Sequence, residues 1–391
     1  MTLSETVKPT SNGGQHRPAS RAALVLGGGG ARAAYQAGVL RAIARHYPDF
    51  RFPYLTGVSA GAINISLLAS HAGALREQSD TLADLWRRLR MDNVFATEGV
   101  SLLGRAMRIG FQLAIGAPPG MRKLLGMVNT EPLRRFLHDA LDSTDGSLPG
   151  IRRNIDAGRL GTVALTALSY GTGNTITFFQ GQLPSIREQF RQCNTEVPLT
   201  VEHVMASAAL PLFFPPIQID GDWYGDGGIR LVNPLASALH TGADRILAIS
   251  NHYLGDDEST APVNEPPSPA TVMAAMYNAV FLDQLDQDVL EMQVINKLVR
   301  ELPEEKRHGM REIKLLVIRP SQDIGAMAHQ LRHELPSTLT YLMNRMGAGE
   351  IRSRDFLSTV MFQSTFIEQL IELGLRDGEA LGPKLKDFFE A

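Results

Sequence analysis

The sequence predicts an α/β protein with a mostly parallel central sheet, and three observations carry that prediction. Ala22–Leu26 is a short apolar run that stops at four consecutive glycines, Gly27 to Gly30, the pattern of a strand buried on both faces. Helical spacing follows at once, with Tyr35, Val39, Leu40 and Ile43 recurring through Ala31–Arg45. The same order then repeats, with a strand over Tyr54–Val58, a tight turn at Gly57–Gly61 and a helix from Ala62. Strand, glycine turn and helix in succession open a doubly wound sheet with helices on both faces, a three-layer α/β/α arrangement.

Later strands are expected over Thr162–Leu168, Thr175–Phe179, Arg245–Ser250 and Ile313–Ile318, the last stopped by Pro320. Gly255–Ala270 carries Asp256, Asp257, Glu258 and four prolines and reads as an exposed loop. Beyond it, Thr271–Arg300 and Ser337–Leu373 read as helices; Phe362, Phe366, Ile367, Leu370 and Ile371 share one face of the second. The expected division is a flexible tail over 1–20, a catalytic domain over 21–250, and a mainly helical extension over 251–391 with an extra strand at 313–319.

Composition narrows the functional classes. The chain has 391 residues, 44% hydrophobic and 20% charged, which excludes collagen-like, disordered and coiled-coil readings. A net charge of −3 supplies no basic field for nucleic acid. Cys193 is the single cysteine, so neither an intrachain disulfide nor a cysteine zinc cluster can form, which suits a reducing cytoplasm. The uncharged stretch Phe52–Leu75 is long enough to be tested as a membrane span. It contains Thr56, Ser59, Asn64, Ser66, Ser70 and His71, so a strand feeding a buried helix explains it better.

Chemistry concentrates at the glycine turns. Gly57-Val58-Ser59-Ala60-Gly61 fits G-x-S-x-G at the end of an expected strand. In a nucleophile elbow, the serine occupies a strained strand-to-helix turn and the glycines remove the side chains that would clash there. The run Gly27 to Arg32 allows two readings. Gly28-x-Gly30-x-x-Ala33, with Asp49 downstream, matches a dinucleotide fingerprint and would make the chain a nucleotide-binding oxidoreductase. Alternatively, amides of Gly28, Gly29 and Gly30 form an oxyanion hole, with Arg32 adding positive charge. A second strand that ends in a serine elbow favours the oxyanion reading.

A serine nucleophile needs a base. His240 and His252 flank the strand over Arg245–Ser250, so spacing alone leaves a Ser–Asp–His triad open. Asp226 stands in the glycine-rich Tyr224-Gly225-Asp226-Gly227-Gly228, which reads as a loop able to present one acid. The His, Asp and Glu residues show no persuasive metal spacing.

Taken together, these residues resemble the patatin-like phospholipases. Gly28-Gly29-Gly30-x-Arg32, the Gly57–Gly61 elbow and Asp226-Gly227-Gly228 stand in the order and approximate spacing of that family. Supporting stretches are Ala206–Pro211 with Phe214-Pro215-Pro216, and Ile229-Arg230 followed by Asn233-Pro234. The resemblance covers about residues 22 to 250, and a weaker similarity to longer bacterial members continues through Arg319–Gly325 and the terminal helices. It implies a serine acyl hydrolase of phospholipase A type that works through a dyad, the alternatives being the nucleotide-binding oxidoreductase and a non-catalytic regulatory protein on the same fold. Ser59 would be the nucleophile, Asp226 the general base, and Gly28 to Gly30 with Arg32 the oxyanion stabilisers; Gly57, Gly61, Gly227 and Gly228 support the motifs. It implies no cofactor and no metal. Ala33 departs from the pattern, since many members carry glycine there; altered packing is the expected result.

The substrate side is marked by charge. Gly99 to Thr130 contains no acid but has Arg105, Arg108, Arg122 and Lys123. Ser101, Arg105, Arg108 and Gln112 form one helical stripe opposite Leu102, Leu103, Ala106, Ile109 and Leu113. A basic amphipathic helix of this kind suits peripheral contact with an anionic bilayer or a lid over an acyl pocket. Oligomeric state leaves no mark in the sequence.

Overall fold

The computed structural model describes residues 21–95, 126–184, 191–231, 233–255, 284–335, 340 and 354–390. The basic segment through residue 125 and the loop at 256–270 lie outside them. The described strands join into one sheet: β1 (Ala22–Leu26), β2 (Tyr54–Val58), β3 (Thr162–Ser169), β4 (Thr175–Gly181), β5 (Gln192–Glu196), β6 (Ile217–Ile219), β7 (Asp222–Asp226), β8 (Arg245–Ile249) and β9 (Lys314–Ile318). Their order is β5-β4-β3-β2-β1-β8-β9, with β7 paired to β3 and β6. From β3 to β9 along that order every neighbour is parallel, while β4 runs antiparallel to β3.

Period-two alternation puts a separate core on each face of the sheet. Leu24 and Leu26 of β1, with Leu247 and Ile249 of β8, face a core closed by α1 (Ala34–His46), α2 (Ala60–Ser70) and α3 (Leu75–Arg88). Ala23 and Val25, with Ile246 and Ala248, face a smaller core of Leu285, Val289 and Met292 from the helix Gln284–Glu301. Helices therefore cover both faces, in the three layers the sequence predicts. The stretch read as a possible span is β2 followed by α2, and among the described residues no helix is long and apolar enough to cross a membrane.

The sheet continues past residue 250, because β9 pairs with β8 from Arg245↔Lys314 to Ile249↔Ile318. The helix Ser364–Glu379 packs on α1 at backbone distance: a Cβ on Gly38 would stand 2.0 Å from the Ile371 carbonyl oxygen, and one on Gly374 2.1 Å from that of Tyr35. The C-terminal helices are thus part of the same core as the site-bearing strands.

Several elements differ from the sequence reading, among them the unexpected strands β5 and β6. Asp226 ends strand β7 and is not in a loop; Gly225 and the exposed Asp222 and Trp223 had hidden the strand. The helix expected over Ser337–Leu373 is interrupted, running Arg354–Val360 and then Ser364–Glu379, while Met361 and Phe362 turn into the core between them. In the first crossover, a short 3₁₀ turn over Gly30–Ala33 precedes α1, and α2 starts at Ala60 directly after Ser59.

Candidate active site

Both glycine turns lie at the carboxyl ends of adjacent parallel strands, and β1 is where the sheet order reverses direction. That switch point leaves a crevice above the strand ends, the position where open α/β sheets bind ligands.

At the elbow, Ser59 adopts φ 56° and ψ −130°. A side chain that leaves the left-handed region so far behind costs about 1–3 kcal/mol and persists only where the surroundings enforce it. The enforcement is visible on both sides. A Cβ on Gly57 would lie 2.6 Å from the Gly61 carbonyl oxygen, and one on Gly61 2.2 Å from that of Leu26, so neither turn position admits a side chain. Ser59 N donates to Ser207 Oγ at 3.1 Å, and Ser207 Oγ donates to the Thr166 carbonyl at 2.6 Å. The first turn of α2 then presents its unpaired amides and positive dipole end beside the serine.

Sheet register brings Asp226 to the same place. Val58 of β2 pairs with Thr166 of β3, and the next residue of β3, Ala167, pairs with Asp226 of β7. β7 occupies the position that β2 vacates when it turns at Ser59. Ser59 is 7% exposed and Asp226 is fully buried. Gly228 N donates to Asp226 Oδ1 at 2.8 Å, and Gly227 packs so tightly that a Cβ would meet the Thr166 carbonyl at 2.2 Å. Burial pushes the Asp226 carboxyl up to about 7, against the opposing pull of the Ser59 hydroxyl and the Gly228 amide. The Ser59 hydroxyl is near enough to favour the ionised form, yet Asp226 Oδ2 has no partner of good hydrogen-bonding geometry. A buried, unpaired carboxylate oxygen is costly and needs an explanation, and here it lies beside a strained serine.

The glycine loop approaches from the other side. A Cβ on Gly28 would stand 2.8 Å from Ser59 Cβ and 3.4 Å from its Oγ. Gln36 Nε2 donates to the Gly27 carbonyl at 2.9 Å, and Asn251 Nδ2 donates to that of Gly28 at 2.7 Å. In a trans peptide, the next amide points opposite to the carbonyl. Holding those two carbonyls therefore turns the amides of Gly28 and Gly29 the other way. Gln36 is fixed in turn by Asn64 Nδ2 at 2.8 Å, and Asn64 Oδ1 accepts from Trp86 Nε1 at 2.8 Å. All three side chains are buried.

Gln36, Trp86 and Asn251 are not singled out by the sequence; Ser207 stands there only within the Ala206–Pro211 stretch, and Asn64 only as a polar interruption in an otherwise apolar one. Arg32 has a different surrounding from Gly28 to Gly30: its guanidinium donates to Ser358 Oγ at 2.6 Å, to the Asn251 carbonyl at 3.4 Å, and to Asp355. Its charge is spent on the C-terminal helix Arg354–Val360.

An apolar cavity of about 40 Å³ opens at Ser59, walled by Ile63, Trp86, Leu133, Leu210, Phe214 and Phe362 among others. A second cavity of about 50 Å³ lies against Gly28, Thr56 and Asn251, and His252 borders that one. His252 Nδ1 stands 3.0 Å from Asp286 Oδ2, and Arg319 also holds Asp286. His240 ends the short helix Ala236–His240. Asp49, the acid of the dinucleotide reading, is exposed in the turn before β2, at the opposite end of the parallel strands from Gly27 to Gly30. Among the described residues, no group of three or more His, Cys, Asp or Glu is placed to hold a metal ion.

A serine elbow, a buried carboxylate at the same sheet level, a glycine loop and a small apolar cavity meet at an α/β switch point. The family model for patatin-like phospholipase matches residues 24–239, and the chain belongs to that family. No curated protein sequence matches the chain. Among solved structures, it is similar to human GIVD cytosolic phospholipase A2, at 12% identity and TM-score 0.47, over 94% of this chain and 59% of that one. It is also similar to VipD from Legionella pneumophila, at 12% identity and TM-score 0.34, over 90% of this chain and 66% of the other. This chain thus spans less than two thirds of either relative.

Proposed function

We propose that the protein cleaves acyl ester bonds of glycerophospholipids or related lipids through a Ser59–Asp226 dyad. The observation that carries this reading is the register that seats Asp226 beside the elbow serine with Oδ2 unpaired. Ser59 Oγ attacks the ester carbonyl carbon while its proton passes to Asp226 Oδ2. Negative charge on the carbonyl oxygen is stabilised by the amides of the Gly28 to Gly30 loop and by the α2 N-terminus. Collapse of the tetrahedral intermediate breaks the ester C–O bond, and the departing alkoxide takes the proton back from Asp226. Water, deprotonated by the same carboxylate, then attacks the acyl-enzyme and releases the fatty acid. The acyl chain occupies the apolar cavity that Ser59 opens onto, where about 0.8 kcal/mol is gained per buried methylene.

A fluorophosphonate ester tests the nucleophile directly. The phosphonyl group should be recovered on Ser59 by peptide mapping, labelling should vanish in Ser59→Ala, and it should persist in a His240→Ala/His252→Ala double variant. Labelling of any other serine, or loss with the histidines, would reject the dyad.

We also propose, from its sequence, that the basic stretch 99–130 contacts anionic lipid. Neutralising Arg105, Arg108, Arg122 and Lys123 together should reduce flotation with phosphatidylglycerol vesicles at low salt, at about 1 kcal/mol per charge. Undiminished flotation would count against that contact.

A further inference from the structure

The C-terminal part of the chain reaches the site through residues 354–362, which touch the glycine loop and the acyl cavity at once. Arg32 is 2% exposed, and a guanidinium buried to that degree needs a paired charge and satisfied donors. Asp355 supplies the charge. Ser358 Oγ accepts from Arg32 Nε and donates to the Asp355 main-chain carbonyl at 2.7 Å, which orients the hydroxyl toward the guanidinium. The third partner, Asn251, takes Arg32 on its main-chain carbonyl and gives its side-chain amide to the Gly28 carbonyl. The connection therefore runs without a gap from Asp355 through Arg32 and Asn251 to the Gly28–Gly29 peptide of the glycine loop. A second contact reinforces it: the Thr359 carbonyl lies where a Gly30 Cβ would be, 2.2 Å from that position. Two and four residues beyond Ser358, Val360 and Phe362 line the cavity that Ser59 opens onto.

We infer that Asp355 and Ser358 are positioning residues for the hydrolytic reaction: acting through Arg32, they hold the Gly28 to Gly30 amides where the tetrahedral oxyanion needs them. The inference rests on the reading of Ser59 as nucleophile. Arg32 then contributes by tethering the loop, its charge being neutralised by Asp355. A misplacement of about 1 Å in such donors costs on the order of 100-fold in rate. Local sequence gives no hint of this pairing, because the partners are 323 residues apart.

The full-length chain is compared with Asp355→Asn, Ser358→Ala, Arg32→Lys and the Arg32→Lys/Asp355→Asn double variant. Active sites are counted with excess fluorophosphonate, and turnover of a butyrate ester is expressed per counted site. Asp355→Asn should lower kcat per site by about 10- to 100-fold with KM nearly unchanged, because the loop acts on the transition state and the short acyl group barely uses the cavity. Ser358→Ala, the milder change, should lower it several-fold. The double variant should be no slower than Arg32→Lys alone, since both changes break one connection. Undiminished turnover per site in Asp355→Asn, a loss confined to the number of countable sites, or losses that multiply in the double variant would each overturn the inference. Absence of both labelling and turnover in the wild-type chain would overturn the dyad and the inference with it, whereas an active wild type with unaffected variants overturns the inference alone.

Discussion

Asp226→Asn is expected to abolish ester turnover and, at the same time, to raise the stability of the protein above neutral pH. The loss should be on the order of 10⁴-fold or more in kcat, because the amide cannot take the serine proton while the fold and the Gly228 contact remain. The stability gain follows from the raised pKa of the buried carboxyl. The carboxyl titrates at about 7 in the folded chain against 3.8 when exposed. Between those values the folded state keeps a proton that the unfolded state has released, so wild-type stability falls as pH rises through that window and the full penalty is present above about pH 7. The ceiling is about 4 kcal/mol at roughly 1.4 kcal/mol per pH unit. Asparagine removes the penalty but leaves its own NH₂ to be satisfied, so a gain of a few degrees in Tm is the realistic expectation. Thermal unfolding at pH 5 and pH 8.5 checks the sign: the variant's advantage should widen at the higher pH. In the wild type, kcat/KM should rise with pH and level off above about 7. A variant no more stable than wild type at pH 8.5, or a stability gap that ignores pH, would contradict the burial account of this carboxylate.

The parts of this site legible in the sequence are those written in consecutive residues. Ala22–Leu26 and Tyr54–Val58 are apolar runs closed by glycines, and the backbone contacts those glycines permit are local to the two turns. The elbow and the glycine loop could therefore be placed at strand ends before any coordinates. What joins them could not. Asp226 meets Ser59 because of a register between β3 and β7, set by hydrogen bonds between segments more than 50 residues apart. Its strand carries a glycine and three polar or exposed residues, so period-two alternation is lost. β5 was missed for a similar reason: Gln192–Glu196 is a mostly polar edge strand, and an edge exposed to solvent needs no apolar pattern. The polar side chains that aim the glycine loop leave almost as little mark, Asn64 showing only as a polar interruption of an apolar run. Gln36, Asn64 and Asn251 have the composition of surface residues, and only their burial among reciprocal donors and acceptors separates them from the surface. The break after Val360 carries no glycine or proline; it exists because Met361 and Phe362 are needed inside.

Gly28→Ala separates the catalytic role of the glycine loop from its structural role. Gly29 and Gly30 have φ of 137° and 57°, and Gly30 also abuts the Thr359 carbonyl, so alanine at either position strains the backbone and weakens the fold. Gly28 lies outside the left-handed region, and an alanine there meets one obstacle, Ser59, at 2.8 Å from its Cβ. Real side-chain carbons do not approach so closely, so either the loop retreats from the elbow or Ser59 is displaced. Both outcomes spoil the distance between the nucleophile and the amides opposite it while leaving the two cores intact. The expected result is a kcat lower by about 100- to 1,000-fold, the cost of losing one oxyanion donor, with Tm within a few degrees of wild type. The rate of fluorophosphonate labelling should fall in parallel, since the phosphonyl oxygen uses the same donors. Gly30→Ala, made alongside, should lose both activity and Tm. Near-wild-type turnover in Gly28→Ala would mean that the amides opposite Ser59 do not carry the oxyanion, and the acyl carbonyl would then have to be placed at the α2 N-terminus alone.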